Sequence, residues 1–221
     1  MGFSKEWEES YANNTHMSKW PWSDLVSYVF RYARPNGDSF TVLELGCGAG
    51  ANIPFFKSLN VTYYALEGSQ SIVKQLKQTH PDIADQIQVG DFTKDLYFDL
   101  EFDLIVDRGS LTHNATSDIR RSLLLIQKKL KKNGKFIGID WFSTEHSDYK
   151  LGVVVEDEFT KTDIKQGHLA DTGRVHFSNK PHILELFKSF NITQMEHKVV
   201  KREVPDDNFS FASWNFVAEK V

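Results

Sequence analysis

The chain has 221 residues, a net charge of -4, 40% hydrophobic and 25% charged residues, which suits one well-buried domain and leaves too little for two of ordinary size. The acidic balance argues against a polyanionic partner, so nucleic acid is not an expected substrate. Cys47 is the only cysteine, which excludes an intrachain disulfide and any cysteine-built metal cluster and points to no oxidising compartment.

The opening MGFSKEWEES has neither a basic start nor an apolar run, and no stretch approaches the ~20 apolar residues of a membrane span. A cytoplasmic protein without membrane association is expected. The segment from Pro21 to Ala33 sets Leu25, Val26, Val29 and Phe30 on one helical face and stops at Pro35-Asn36-Gly37. Strands and helices then alternate: TVLEL, a helix from about Ile53, VTYYALE, a helix from about Ser71, QIQVGD, FDLIVD, a helix from Asp118 to Lys131, and KFIGID. That alternation predicts a parallel sheet covered by helices on both faces. Lys128, Lys129, Lys131 and Lys132 fall where cations complement the dipole of the last of these helices.

After a polar stretch from Ser143 to Lys180, a helix from Pro181 to Phe190 precedes ITQMEHKVV and FASWNFVAE, joined by Pro205-Asp206-Asp207-Asn208. These last two strands are expected to form an antiparallel hairpin. The fold class is therefore α/β: a Rossmann-like, mostly parallel seven-stranded sheet with helices on both faces and a C-terminal antiparallel hairpin. Residues 1–221 read as a single domain, with N-terminal helical residues 1–40, a core at 41–142, an insertion at 143–180 and the C-terminal helix and hairpin at 181–221. A connection as long as 143–180 is more often functional than idle, and a lid over a pocket is expected there.

TVLEL runs directly into Gly46-Cys47-Gly48-Ala49-Gly50-Ala51-Asn52 and then a helix. Glycines let the backbone turn sharply and approach a ligand where a Cβ would collide. Two ligands fit the loop. Gly46, Gly48 and Ala51 satisfy a dinucleotide fingerprint, with Glu67 at the spacing of a ribose-binding acid. Glu44, two residues before the first glycine, divides the readings. A pyrophosphate wants helix-terminal amides without a nearby carboxylate, whereas a carboxylate suits a cation such as the amino group of S-adenosylmethionine (SAM). Gly90-Asp91-Phe92 adds an acid for an adenine amino group beside an apolar face.

Taken together, VLELGCGAG, the acid in ALEGS, VGDF and FDLIVDRGSL resemble the successive motifs of class I SAM-dependent methyltransferases over roughly Thr41 to Phe142. MSKWPWSDLVSYV and FSTEHSDYKLG are similar to methyltransferases of bacterial surface-polysaccharide gene clusters. The resemblance implies that Gly46, Gly48 and Gly50 wrap the methionine part, with Glu44, Cys47 and Asn52 also at the cofactor. It further implies that Glu67 holds both ribose hydroxyls, that Asp91 and Phe92 hold adenine, and that Asp107 lies beside the methionine amino group, with Gly68, Ser69 and Arg108 also among the cofactor-binding residues. It also implies an N-terminal lid helix over the cofactor, from which Tyr11 would touch SAM.

Methyl transfer requires an aligned nucleophile and exclusion of water, and a hydroxyl acceptor usually needs a general base. The base is expected near the ends of the fourth and fifth strands. His113 in DRGSLTHN is the first candidate, because imidazole accepts a proton at neutral pH; the competing reading is a surface or capping histidine. His146 and Asp140 follow, with structural roles as their alternatives, and His168 and His176 lie in the insertion. Asp107-Arg108-Gly109-Ser110 stands where enzymes that methylate planar nitrogens carry an Asn-Pro-Pro-Tyr type of run, so an oxygen acceptor is favoured. Arg108 is either an anion clamp or a surface ion pair. Trp7, Tyr11, Trp20 and Trp22 offer aromatic walls or ordinary packing. The expected activity is SAM-dependent methyl transfer (EC 2.1.1.-) to a small molecule or glycan precursor, with no metal. The alternatives are an NAD(P)-dependent oxidoreductase and an inactive SAM-binding partner subunit.

Overall fold

The computed structural model describes residues 5–13, 15 and 17–221. Two helices come first, α1 (Lys5–Ala12) and α2 (Ser23–Tyr28), the latter continuing as a π-helical turn over Val29–Ala33. The core follows as β1 (Thr41–Leu45), α3 (Ile53–Ser58), β2 (Thr62–Glu67), α4 (Gln70–Thr79), β3 (Ile87–Val89), β4 (Phe102–Arg108), α5 (Thr116–Lys129) and β5 (Leu130–Phe142). The tail adds β6 (Val153–Val155), β7 (Asp157–Thr162), β8 (Val175–His176), α6 (Lys180–Leu186), β9 (Phe190–Lys201) and β10 (Ser210–Lys220).

Seven strands form one sheet in the order β3-β2-β1-β4-β5-β10-β9, with β3 to β5 parallel and β10 antiparallel to both neighbours. Alternation along the central strands shows why both faces are covered. Leu43, Leu45 and Ile105 pack with α5 and α6 through Ile119, Leu123, Ile183 and Leu186. Val42, Leu104 and Val106 point the other way, onto Leu25 of α2, Ile53 and Phe56 of α3, and Ile72 and Leu76 of α4. Glu44 faces the second side with Val42 and is only 3% exposed, so its carboxylate is held at the end of a buried strand. Ser69 caps α4 by accepting from the Ile72 amide at 3.2 Å, a bond of the kind that stabilises a helix by about 1 kcal/mol.

Three expectations are corrected. The 143–180 segment is no simple loop: it carries the antiparallel three-stranded sheet β6-β7-β8 around its own apolar cluster of Phe142, Ile164, Leu169, Val175 and Phe177. Alternation in VVVEDEFTKT is too short to separate edge strands from a polar loop. The fifth strand begins at Leu130 and not at Lys135, so Lys131 and Lys132 lie in β5, and only Lys128 and Lys129 end α5. The helix expected from Pro21 begins at Ser23 and widens into the π-helical turn before Arg34, whose φ of 50° ends it.

Candidate active site

The C-terminal ends of the parallel strands open into a cleft with about 230 Å³ of space open to water, roofed by α1 and by the insertion. Its floor is the loop after β1. Gly46 and Gly48 take φ of +64° and +51°, the left-handed region where a side chain is strained. A Cβ on Gly48 would stand 2.8 Å from the Tyr11 hydroxyl, and one on Gly46 would collide with Ser110. The loop is therefore pressed between α1 on one side and the turn after β4 on the other.

Carboxylates at the ends of three strands line the cleft: Glu44, Glu67 and Asp91. Glu67 accepts from the Gly48 amide at 2.8 Å and the Ser69 amide at 2.9 Å, so it holds the loop after β1 to the loop after β2. Burial raises its pKa against those hydrogen bonds. Glu44 accepts from Asn52 Nδ2 at 2.7 Å and from the Tyr63 hydroxyl at 2.6 Å; burial pushes its pKa up to about 7, with Asp107 and Glu67 adding to the rise. A carboxylate has about four lone-pair sites, so both acids keep acceptor capacity toward the cleft. Asp91 accepts from the Thr93 amide and hydroxyl and pairs with Lys94 at 3.0 Å. Phe92 and Gly68 line the cleft beside it.

The helix α1 closes the top. Hydrogen bonds from Ser69 and Ser71 hold the Glu8 carboxyl below its usual range despite some burial, which fastens α1 to the start of α4. Burial beside Glu67 raises the Tyr11 hydroxyl well above its usual range, so it is neutral and a donor. Trp7 packs edge-on against the His113 ring with centroids 4.9 Å apart.

At the other end of the cleft, β4 and β5 supply Arg108, His113 and Asp140. The Arg108 guanidinium lies 3.6 Å over the Trp22 ring and donates to Asp140 Oδ2 at 2.9 Å. Its Nε is buried without a partner. Asp140 is only 8% exposed and has φ +54°, a backbone state that costs about 1–3 kcal/mol for a residue other than glycine. Asn215 Oδ1 accepts its amide and Ser213 donates to its Oδ1, where the pairing of β5 with β10 shifts register. The bulge thus turns the Asp140 carboxylate into the cleft. His113 stands in a 3-10 turn after β4, and its Nδ1 lies 2.9 Å from the Arg174 carbonyl. A carbonyl only accepts, so Nδ1 carries the hydrogen and the lone pair of the neutral ring is on Nε2.

Five residues singled out from the sequence have other occupations. Asp107 is fully buried and does not line the cleft; its carboxylate accepts from the Ser110 amide and hydroxyl, the Leu111 amide and Trp141 Nε1, so it shapes the turn after β4. His146 is also buried away from the cleft, with Nδ1 accepting from the Asp148 amide at 3.0 Å; burial lowers its pKa to about 4. Gly50 packs against Leu76 and Ile53, and Ser69 caps α4. His176 is buried in the insertion between Thr160 and Ser178. Residues missed from the sequence are Phe142, Leu169, Thr172 and Phe211, which line the cleft's far wall. They carry no spacing signal, since they come from a strand end, an irregular turn and the hairpin. Among the described residues no group of three or more His, Cys, Asp or Glu side chains is set to hold a metal, and no helix is long and apolar enough to cross a membrane.

The sheet order and the glycine loop give a Rossmann-like fold of the kind found in solved methyltransferase structures. Residues 43–136, from β1 into β5, match the family model described as a methyltransferase domain. Among solved structures, the chain is similar to a SAM-dependent methyltransferase of Methanosarcina mazei (13% identity, 91% of this chain and 99% of that one, TM-score 0.68). One from Mesorhizobium loti gives 16% identity, 87% and 96% coverage and a TM-score of 0.65. A proposed Zn-dependent alcohol dehydrogenase of Rhodobacter sphaeroides gives 12% identity, 99% and 100% coverage and a TM-score of 0.68. Identities this low establish the fold alone. No curated protein matches the sequence.

Proposed function

We propose that the chain is a methyltransferase that acts at an oxygen of a small-molecule or sugar acceptor, with His113 as the general base. S-adenosylmethionine is its cofactor. The residues present fit that group. Gly46 and Gly48 give a side-chain-free floor, Glu67 offers a carboxylate for ribose hydroxyls, and Asp91 with Phe92 suits adenine. Glu44 offers a buried anion to the methionine amino group, and the unpartnered Arg108 Nε offers a donor to its carboxylate.

The observation that carries the cofactor assignment is Glu44 hydrogen-bonded to Asn52, the residue that begins α3. A dinucleotide's pyrophosphate would meet a carboxylate there, and Pro54 in the first turn removes one of the amides it needs. When bound, SAM supplies a methyl carbon on a positively charged sulfur. The chain's tasks are then to exclude water under α1 and the insertion, to fix the acceptor, and to take its hydroxyl proton at His113 Nε2. Titration calorimetry with S-adenosylhomocysteine (SAH), SAM and NAD tests the assignment. SAH is expected to bind in the micromolar range, on the order of -8 kcal/mol, and NAD to show no heat. Saturable NAD binding without SAH binding overturns it.

A further inference from the structure

The far wall of the cleft carries information about the acceptor, and reading it rests on the methyltransferase assignment above. Trp7 meets His113 edge-on, His113 meets Phe142 at 6.1 Å and 83°, and Phe142 meets Phe211 at 6.4 Å and 82°. These rings and Leu169 line one side of the cleft at the ends of β4 and β5 and the start of β10, with the His168 ring against Phe211 at its margin.

Three polar side chains in the same wall turn their hydrogens inward. Thr172 donates to the Leu169 carbonyl at 2.8 Å, Asn114 Nδ2 to the Ser110 and Leu111 carbonyls at 3.3 Å each, and the single hydroxyl hydrogen of Ser110 is taken by the Asp107 carboxylate or the Leu45 carbonyl. His113 spends Nδ1 on the Arg174 carbonyl. A polyhydroxylated ring entering here gives up water at several hydroxyls against groups whose donors are already used, which is unfavourable for each one left unmade.

Charge points the same way. Among the described residues the cleft is lined by Glu44, Glu67, Asp91 and Asp140, with Arg108 as its only arginine and no lysine. Arg108 is paired with Asp140 and stacked on Trp22. A phosphorylated or carboxylated acceptor therefore meets the Asp140 carboxylate, with the one guanidinium of the lining shared between Asp140 and, through its Nε, the methionine carboxylate assigned to it above.

We propose that the acceptor is an uncharged, flat, mainly apolar molecule of the phenol class, held between the Trp7, Phe142, Leu169 and Phe211 side chains with its hydroxyl at His113. This narrows the acceptor proposed above to its small-molecule arm, with sugars and phosphorylated glycan precursors disfavoured.

The test uses the full chain saturated with SAH and three probes: 2-naphthol, 2-naphthyl phosphate and methyl glucoside, with binding followed by calorimetry and by tryptophan fluorescence. 2-Naphthol is expected to bind at least tenfold more tightly than either of the others. Phe211→Ser is expected to weaken 2-naphthol at least tenfold and to leave SAH affinity unchanged. Equal or tighter binding of the phosphate or the glucoside overturns the proposal, as does an absence of 2-naphthol binding at millimolar concentration while SAH still binds. Unchanged 2-naphthol affinity in Phe211→Ser also overturns it. Failure of SAH itself to bind is a different result, because it removes the methyltransferase reading on which the acceptor class stands.

Discussion

The two ends of the cleft are built by opposite means. At the end formed by β1, β2 and β3, the residues lining the cleft are backbone turns and strand-terminal acids, each within a few positions of its motif: Gly46, Gly48, Glu67, Asp91. At the end formed by β4 and β5, the wall is drawn from α1, the turn after β4, the insertion and β10, so Trp7, His113, Leu169 and Phe211 meet across more than 200 positions of chain. The first end is fixed by the sheet itself and the second by loops packed onto it. A ligand common to many proteins is best held by the rigid part, and a ligand particular to one protein by the part that varies freely.

The sharpest way to break this contrast is at Gly48. Gly48→Val should abolish detectable SAH binding in calorimetry while circular dichroism shows a folded chain. A β-branched residue there is strained at φ +51°, and its Cβ meets the Tyr11 hydroxyl. The damage comes from two directions, the floor and the roof. Retained affinity would mean that the loop is not the cofactor floor.

The acceptor end should respond in rate. His113→Ala is expected to lower turnover about 10²- to 10⁴-fold, the usual contribution of a positioned base, with SAH affinity held within about twofold by the other end of the cleft. Loss of SAH binding in this variant would move His113 from catalysis to roof support through its contact with Trp7.

These two variants mark what could be read before the fold was known. The seven-stranded sheet was legible because alternating apolar runs and glycine punctuation are local signals, and the place of Gly46, Gly48, Glu67 and Asp91 in the cleft lining was legible because each stands where a strand of that sheet ends. Phe142 and Phe211 were not, since an aromatic residue in a strand is usually core, and only the packing of the β10 hairpin against the insertion brings them to the cleft. Asp107 misled for the complementary reason. An acid at the end of a strand looks like a ligand contact, and here Ser110, Leu111 and Trp141 use its carboxylate to fold the next turn. Asp140 owes its position to a bulge that depends on Asn215, 75 residues away, which no spacing within β5 announces.

A smaller effect is expected at Glu67, because its carboxylate both faces the ligand and ties two loops together. Glu67→Ala should weaken SAH by about 1.5–3 kcal/mol, the range for hydrogen bonds to a charged group, measured by calorimetry at fixed pH. If affinity were unchanged in a folded variant, the ribose assignment would pass to another acid.

The smallest effect separates binding from stability at one residue, Glu44. Its folded pKa is raised to about 7 by burial, above the ordinary carboxylate value, so the sign is fixed. The stability associated with the neutral acid is fully present below about pH 4.5 and is lost as pH rises through about 7. Without ligand, Glu44→Gln should therefore melt at a higher temperature than the unsubstituted chain at pH 8, and the difference should shrink toward pH 5. Burial raises Asp107 and Glu67 in the same direction, but both remain in the variant, so the difference between the two chains isolates Glu44. With ligand the requirement reverses. The methionine amino group is a cation and attracts the ionised form, so SAH affinity should rise about tenfold between pH 6 and pH 8 as a group with pKa near 7 ionises, and Glu44→Gln should flatten that rise. A buried carboxylate that destabilises the empty fold and strengthens the loaded one is expected only of a residue kept for binding. If the variant is more stable at pH 8 and its SAH affinity keeps the same pH slope, Glu44 is a structural partner of Asn52 and Tyr63 alone, and the amino group must find its anion elsewhere in the cleft.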